Sequence, residues 1–173
     1  MNLPDEPGQG DRPYIGVAAA SAPDERVVAL AEVLGRHLAE AGAVVVCGGG
    51  GGAMAALCRG AAGAGGTTVG LLPGASRDEG NPDLRVAIPT GLGEGRNVLL
   101  VRASDALVAV GGGFGTLSEI ALALRTGVPV IGLATWALAL EGAPVDAFPQ
   151  VDDPAEAARL ALAGALERRR RPR

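Results

Sequence analysis

The run Ala106-Leu-Val-Ala-Val-Gly-Gly-Gly-Phe-Gly-Thr-Leu-Ser-Glu119 decides the fold. Its unbroken apolar start reads as a buried strand, a glycine turn follows, and a helix then opens that carries one carboxylate. Gly111, Gly112, Gly113 and Gly115 let the backbone approach a ligand closely. Thr116 adds a hydroxyl at the start of a helix whose first amide N–H groups lack internal partners. An anion is expected at such a turn. The helix dipole contributes only about 0.3–1 kcal/mol, and up to about 2 kcal/mol where partly buried, so the N–H donors and a nearby arginine must supply the rest.

The same strand-and-helix unit recurs on both sides of this run. Apolar stretches at Tyr14–Ala19, Ala43–Cys47, Thr68–Leu72, Leu84–Ile88, Val128–Leu133 and Phe148–Val151 read as strands. Helical spacing or composition marks Asp24–Glu40, Ala53–Ala64, Glu94–Ala103, Thr116–Thr126 and Pro154 to about Arg169. Alternation of this kind, with strands that are apolar throughout, predicts an α/β, Rossmann-like, doubly wound and mainly parallel sheet with helices on both faces. Ligands in such sheets sit beyond the carboxyl ends of the strands, where both glycine turns fall. The expected organisation is a flexible leader over residues 1–12, a single domain over 13–167 and a basic tail over 168–173. Ser21 has two readings: a cap for the first helix, or a hydroxyl at the end of the first strand that faces a ligand.

Composition narrows the chemistry. The 173 residues contain no lysine, which removes the P-loop lysine and any Schiff-base lysine, so every cationic role falls to arginine. Aromatics make up 2% of the chain, and the core must therefore be built from Ala, Val, Leu and Gly. Cys47 and Cys58 read as small buried side chains, with neither a metal site nor a disulfide framework expected. The net charge of −4, with no interleaving of basic and aromatic residues, does not favour nucleic acid as a partner. The arginine run from Arg168 reads as a solvated end, with a nucleic-acid- or phosphate-binding arm as the alternative. No signal-like segment stands at the amino end and no stretch reads as a membrane span, so a cytoplasmic location is expected.

A second glycine loop, Gly48-Gly49-Gly50-Gly51-Gly52-Ala53, formally satisfies the dinucleotide pattern G-x-G-x-x-G/A. The acidic residue required about 20 positions later is absent, because Val69–Leu72 ends in Pro73-Gly74. The segment Gly91-Leu-Gly-Glu-Gly-Arg96-Asn97-Val-Leu-Leu-Val-Arg102 is more telling: it places Arg96 on a different element from Glu119 but toward the same sheet edge. Gly111-Gly-Gly-Phe-Gly-Thr-Leu-Ser-Glu119 resembles the PGGxGTxxE signature of the Lonely Guy (LOG) phosphoribohydrolases, often labelled lysine decarboxylase-like. Gly48–Gly52 and Arg96 match that family as well, and the resemblance runs from about Tyr14 to Leu162.

The resemblance implies hydrolysis of a nucleoside 5′-monophosphate to free base and ribose 5-phosphate by a homodimer or homotetramer, with no metal and no organic cofactor. Gly48, Gly49, Gly50, Gly112, Gly113, Gly115, Thr116 and Ser21 are the expected phosphate- or nucleotide-binding residues, and Arg96 and Glu119 the expected catalytic pair. Glu119 would stabilise positive charge on the ribose, and Arg96 would hold phosphate or polarise the leaving base. Three positions depart from the signature: Gly111 stands for proline, Ser118 for a first glutamate, and Asn97 for lysine. In this form the sequence is closer to a bacterial branch that also resembles molybdenum cofactor carrier proteins, which bind a phosphate-bearing pterin without turnover. A non-catalytic carrier or sensor is therefore the alternative expectation. Blander roles stay open for Glu119 in favouring its helix terminus, for Trp136 and Phe148 in packing, and for residues 73–83 as a surface connection rather than a lid.

Overall fold

The computed structural model describes residues 12–170. The elements are β1 (Tyr14–Ala19), α1 (Glu25–Glu40), β2 (Val44–Cys47), α2 (Ala53–Gly63), β3 (Thr67–Leu72), β4 (Val86–Pro89) and α3 (Arg96–Arg102). They continue with β5 (Ala106–Val110), α4 (Phe114–Thr126), β6 (Val130–Leu133), β7 (Leu138–Leu140), β8 (Ala143–Val145), β9 (Gln150–Val151) and α5 (Pro154–Arg170). Seven strands form one sheet in the order β4-β3-β2-β1-β5-β6-β9, and every neighbouring pair is parallel. The fold is therefore the α/β, Rossmann-like, doubly wound architecture that the alternating pattern predicts.

Alternation along each strand divides the core between the two faces. Ile15, Val17, Val45 and Val108 pack with α1, α2 and α5, whereas Ala18, Val46, Leu107 and Ala109 pack with α3 and α4. Helix α1 turns Val27, Ala31, Leu34 and Leu38 inward, the face its periodicity marks. Helices α1 and α2 approach each other at two glycines. A methyl on Gly35 would run into the carbonyl of Leu57, and one on Gly60 into the carbonyl of Glu32.

Several local expectations are corrected. Asp24, not Ser21, caps α1: its carboxylate accepts from Val27 N–H at 2.8 Å, while Ser21 is exposed and its carbonyl lies against Gly52. The fourth strand starts at Val86 rather than Leu84, because the Thr68 hydroxyl, donating to Asp83 O and accepting from Arg85 N–H at 2.8 Å each, replaces ladder bonds there. A tight turn at Gly93–Gly95 precedes α3, and the β7–β8 hairpin was not expected. Helix α5 continues to Arg170; Arg168 donates to Ser104 O at 2.8 Å and is docked, while Arg169 and Arg170 are exposed. Residues 1–11 of the expected leader and 171–173 of the tail lie outside the described residues. Arg12 is anchored to Gly42 O at 2.9 Å. Among the described residues no helix is long and apolar enough to cross a membrane.

Candidate functional site

Strand order reverses between β1 and β5: the chain runs outward through β2, β3 and β4 and returns to the other side of β1. Their following loops diverge at this point and leave a crevice at the carboxyl edge. The β5 loop bends at Gly111, whose φ of +71° lies outside the range of proline, near −65°. The glycine in place of the signature proline therefore gives the chain a different backbone route into α4. Gly113 precedes α4 with no side-chain cap, so the first amides of this 13-residue helix remain available. Space beside Gly113 and Gly115 is open, Gly112 is exposed, and Thr116 is buried on the first turn.

Arg96 crosses from the start of α3 to meet α4. Its Nη1 donates to Glu119 Oε1 at 2.9 Å, with both side chains largely buried. Gly48, at the end of β2, makes room for this arginine. A Cβ there would lie 2.5–2.9 Å from the guanidinium atoms. Gly49 adopts φ +75° and fits against Leu72 and Gly70, and its N–H donates to Cys47 Sγ at 3.3 Å. Gly48 and Gly49 are buried and Gly50 is half-buried. The inner part of this loop thus seats Arg96, and the outer part reaches solvent. Arg96 Nε is buried with no hydrogen-bond partner among the described residues, a cost of about 1–3 kcal/mol.

Burial pushes the Glu119 carboxyl from 4.5 up to about 7, against the opposing charge and hydrogen bond of Arg96. Because the folded value exceeds the unfolded one, folding favours the protonated form. That contribution is complete below about pH 4.5 and is lost as pH rises through about 7. Glu119→Gln mimics the neutral acid and removes this slope. The stability difference between variant and wild type in urea should grow by about 3 kcal/mol from pH 4.5 to pH 7.5. A pH-independent difference would show that Glu119 does not titrate in this range.

The other two departures from the signature face each other. Asn97 Nδ2 donates to Ser118 Oγ at 2.8 Å, and Ser118 Oγ donates to Gly115 O at 2.8 Å, so a neutral bridge ties α3 to the first turn of α4. Beside it lies a cleft of about 320 Å³ lined by Asn97, Val98, Phe114, Ser118 and Leu122, among others. Trp136 braces the glycine turn: its Nε1 donates to Gly113 O at 3.1 Å and its ring stands 5.9 Å from that of Phe114. Phe148, by contrast, is buried in the core, and His37 pairs with Glu40 at the end of α1. The 73–83 segment is tied down by a capping box at Ser76 and by Asn81, which bonds Gly49 O at 3.2 Å and Gly50 O at 3.1 Å. No local pattern marks Asn81 or the bracing role of Trp136, since both act through contacts distant in sequence. Among the described residues no three His, Cys, Asp or Glu side chains converge as a metal site would require.

This geometry can be set beside known proteins. A molybdenum cofactor binding protein from the phototrophic bacterium Rippkaea orientalis is 32% identical, with a TM-score of 0.79, covering 88% of this chain and 96% of its own. The molybdenum cofactor carrier protein from Chlamydomonas reinhardtii is 33% identical, with a TM-score of 0.76, covering 90% of this chain and 99% of its own. An uncharacterized protein of Archaeoglobus fulgidus is 42% identical over 119 residues, 69% of this chain and 78% of the relative. Residues 12–158 match the SLOG cluster4 family, and the chain, with its Gly-Gly-Phe-Gly-Thr turn and its Arg96–Glu119 pair, belongs to that family.

Proposed function

We propose that the protein binds and carries a phosphate-bearing small molecule of the molybdenum-cofactor class without turning it over. The observation that carries this reading is the state of Glu119, 4% exposed and already engaged by Arg96. The crevice consequently offers a ligand donors rather than a free carboxylate. The phosphate sits against the uncapped amides at the start of α4, with Gly112, Gly113, Gly115 and Thr116 around it. Arg96 supplies charge from below, and its unpartnered Nε gains an acceptor when the pair shifts toward the ligand. Similarity to the two molybdenum cofactor proteins over nearly their whole lengths supports the same reading. The protein then works in the cytoplasm as a homodimer or homotetramer, a state supported by exposed Leu92, Val98, Leu99 and Phe114 near α3 and α4.

The second reading is N-glycosidic hydrolysis of a nucleoside 5′-monophosphate, with Arg96 and Glu119 as its catalytic pair. One observation favours it: a carboxyl held near 7 suits general acid–base work at neutral pH, worth about 10²–10⁴-fold. One experiment separates the two. Purified protein is mixed with molybdenum cofactor released from a donor enzyme and gel-filtered, and molybdenum and pterin are quantified in the protein peak. In parallel it is incubated with a panel of nucleoside 5′-monophosphates, and free base is measured by chromatography. The carrier reading expects about one cofactor retained per chain and no base released. Base release that Glu119→Gln abolishes would establish the hydrolase instead, and neither retention nor release would sink both.

A further inference from the structure

Beneath the second glycine loop lie two thiols that neither reading uses. Cys47 ends β2 and Cys58 lies within α2. Both are fully buried, and their sulfurs stand 3.6 Å apart. They are hydrogen-bonded thiols, and a disulfide needs about 2.05 Å between sulfurs. Each thiol is wired into the loop. Gly49 N–H donates to Cys47 Sγ at 3.3 Å, and Asn81 Nδ2 reaches Cys58 Sγ at 3.6 Å as well as the carbonyls of Gly49 and Gly50. Gly48, between Cys47 and Gly49, carries the Arg96 guanidinium on its open face.

We propose that Cys47 and Cys58 are a reversible dithiol–disulfide couple, oxidised by a small hydroperoxide, whose state sets the conformation of the Gly48–Gly50 loop and with it the placement of Arg96. The hydrogen bond from Cys47 lowers the Cys58 thiol below its ordinary value, and the same contact, followed by burial, raises Cys47. The half-buried Asn81 also brings its Nδ2 to the Cys58 sulfur, so Cys58 is taken as the attacking thiolate and Cys47 as the resolving thiol. In the first step the Cys58 sulfur attacks one peroxide oxygen; the O–O bond breaks, and water leaves with Cys58 as a sulfenic acid. In the second step the Cys47 sulfur displaces hydroxide from the Cys58 sulfur; the S–S bond forms, the S–O bond breaks, and the Cys47 proton leaves in a second water. Two electrons pass from the sulfurs to the peroxide oxygens, and a dithiol reductant returns them. Both cysteines are fully buried, so the fitting oxidant is a small one.

Closing the gap moves the sulfur that Gly49 N–H holds. Gly49 cannot absorb the motion in place, since it is wedged against Leu72 and Gly70, so the change passes to Gly48 and to the arginine resting on it. Such a couple fits a reducing compartment, where disulfides are transient and redox-sensing. The inference concerns the chain alone and stands whichever ligand the crevice holds.

Reduced protein treated with hydrogen peroxide, then unfolded and alkylated, is expected to lose the mass of two hydrogens, to show no alkylatable thiol and to revert with dithiothreitol. In ¹⁵N NMR spectra the amides of Gly48, Gly49 and Gly50 and the Arg96 Nε–H are expected to move between two sets of positions. Cys58→Ala should keep a single set under the same treatment. The proposal is overturned if both thiols remain alkylatable, if the bond joins two chains, or if the disulfide forms while the loop resonances stay still.

Discussion

Replacing Arg96 with methionine is expected to weaken cofactor retention by roughly 10- to 100-fold, the effect of losing charge-assisted hydrogen bonds worth about 1.5–3 kcal/mol. The same variant changes how stability depends on pH. Arg96 opposes the burial of Glu119 through both its charge and its hydrogen bond. In the wild type the Glu119 contribution is exhausted once pH passes about 7, and the profile flattens. Without the guanidinium the buried carboxyl holds its proton to higher pH. Stability then continues to fall by about 1.4 kcal/mol per pH unit above neutrality until the group ionises. Urea unfolding at half-unit steps from pH 5 to pH 9 reads this directly: the two proteins should differ least at acid pH and diverge above 7. Parallel profiles would mean that the ion pair does not govern Glu119. Retained affinity would remove Arg96 from the ligand site.

Gly60→Ala is expected to be the most damaging small change in the scaffold. Its methyl would occupy the space of the Glu32 carbonyl, so α1 and α2 must separate and loosen the packing of Ala31, Leu34 and Leu57. Alanine ordinarily favours a helix over glycine by about 1 kcal/mol, and here that gain is overwhelmed. Overpacking of a tight core costs typically 1–3 kcal/mol and occasionally more. Contact against backbone rather than a movable side chain places this site at about 3 kcal/mol. For a domain of this size that corresponds to a fall in Tm of roughly 6–12 °C. Calorimetry should show it, with Gly63→Ala, whose Cβ would meet open space, as the mild companion.

The β5 turn and α4 were legible because their signals are local: an apolar run, glycines, then helical spacing. Parallel order followed from alternation, and the convergence of Arg96 with Glu119 followed from placing both at one sheet edge. What escaped reading depends on contacts between distant residues. Asp24 and Ser21 both carry acceptable cap oxygens, but α1 starts at Glu25, so only Asp24 stands where its carboxylate reaches Val27 N–H. Gly48 looks like any other loop glycine until Arg96, 48 positions later, is found resting on it. Cys47 and Cys58 carry no recognisable spacing, because one lies on a strand and the other on a helix beneath it. The β7–β8 hairpin is exposed and nearly patternless, with Leu140 at 72% exposure, so burial leaves no trace in its sequence.

Trp136 is the chain's sole tryptophan, and its indole N–H is spent on the Gly113 carbonyl at the mouth of the crevice. The molecule's indole fluorescence therefore originates at one place, on the glycine turn proposed to seat the phosphate. Occupancy of the crevice can be followed through the emission of this native fluorophore, with no dye attached and no background from a second indole.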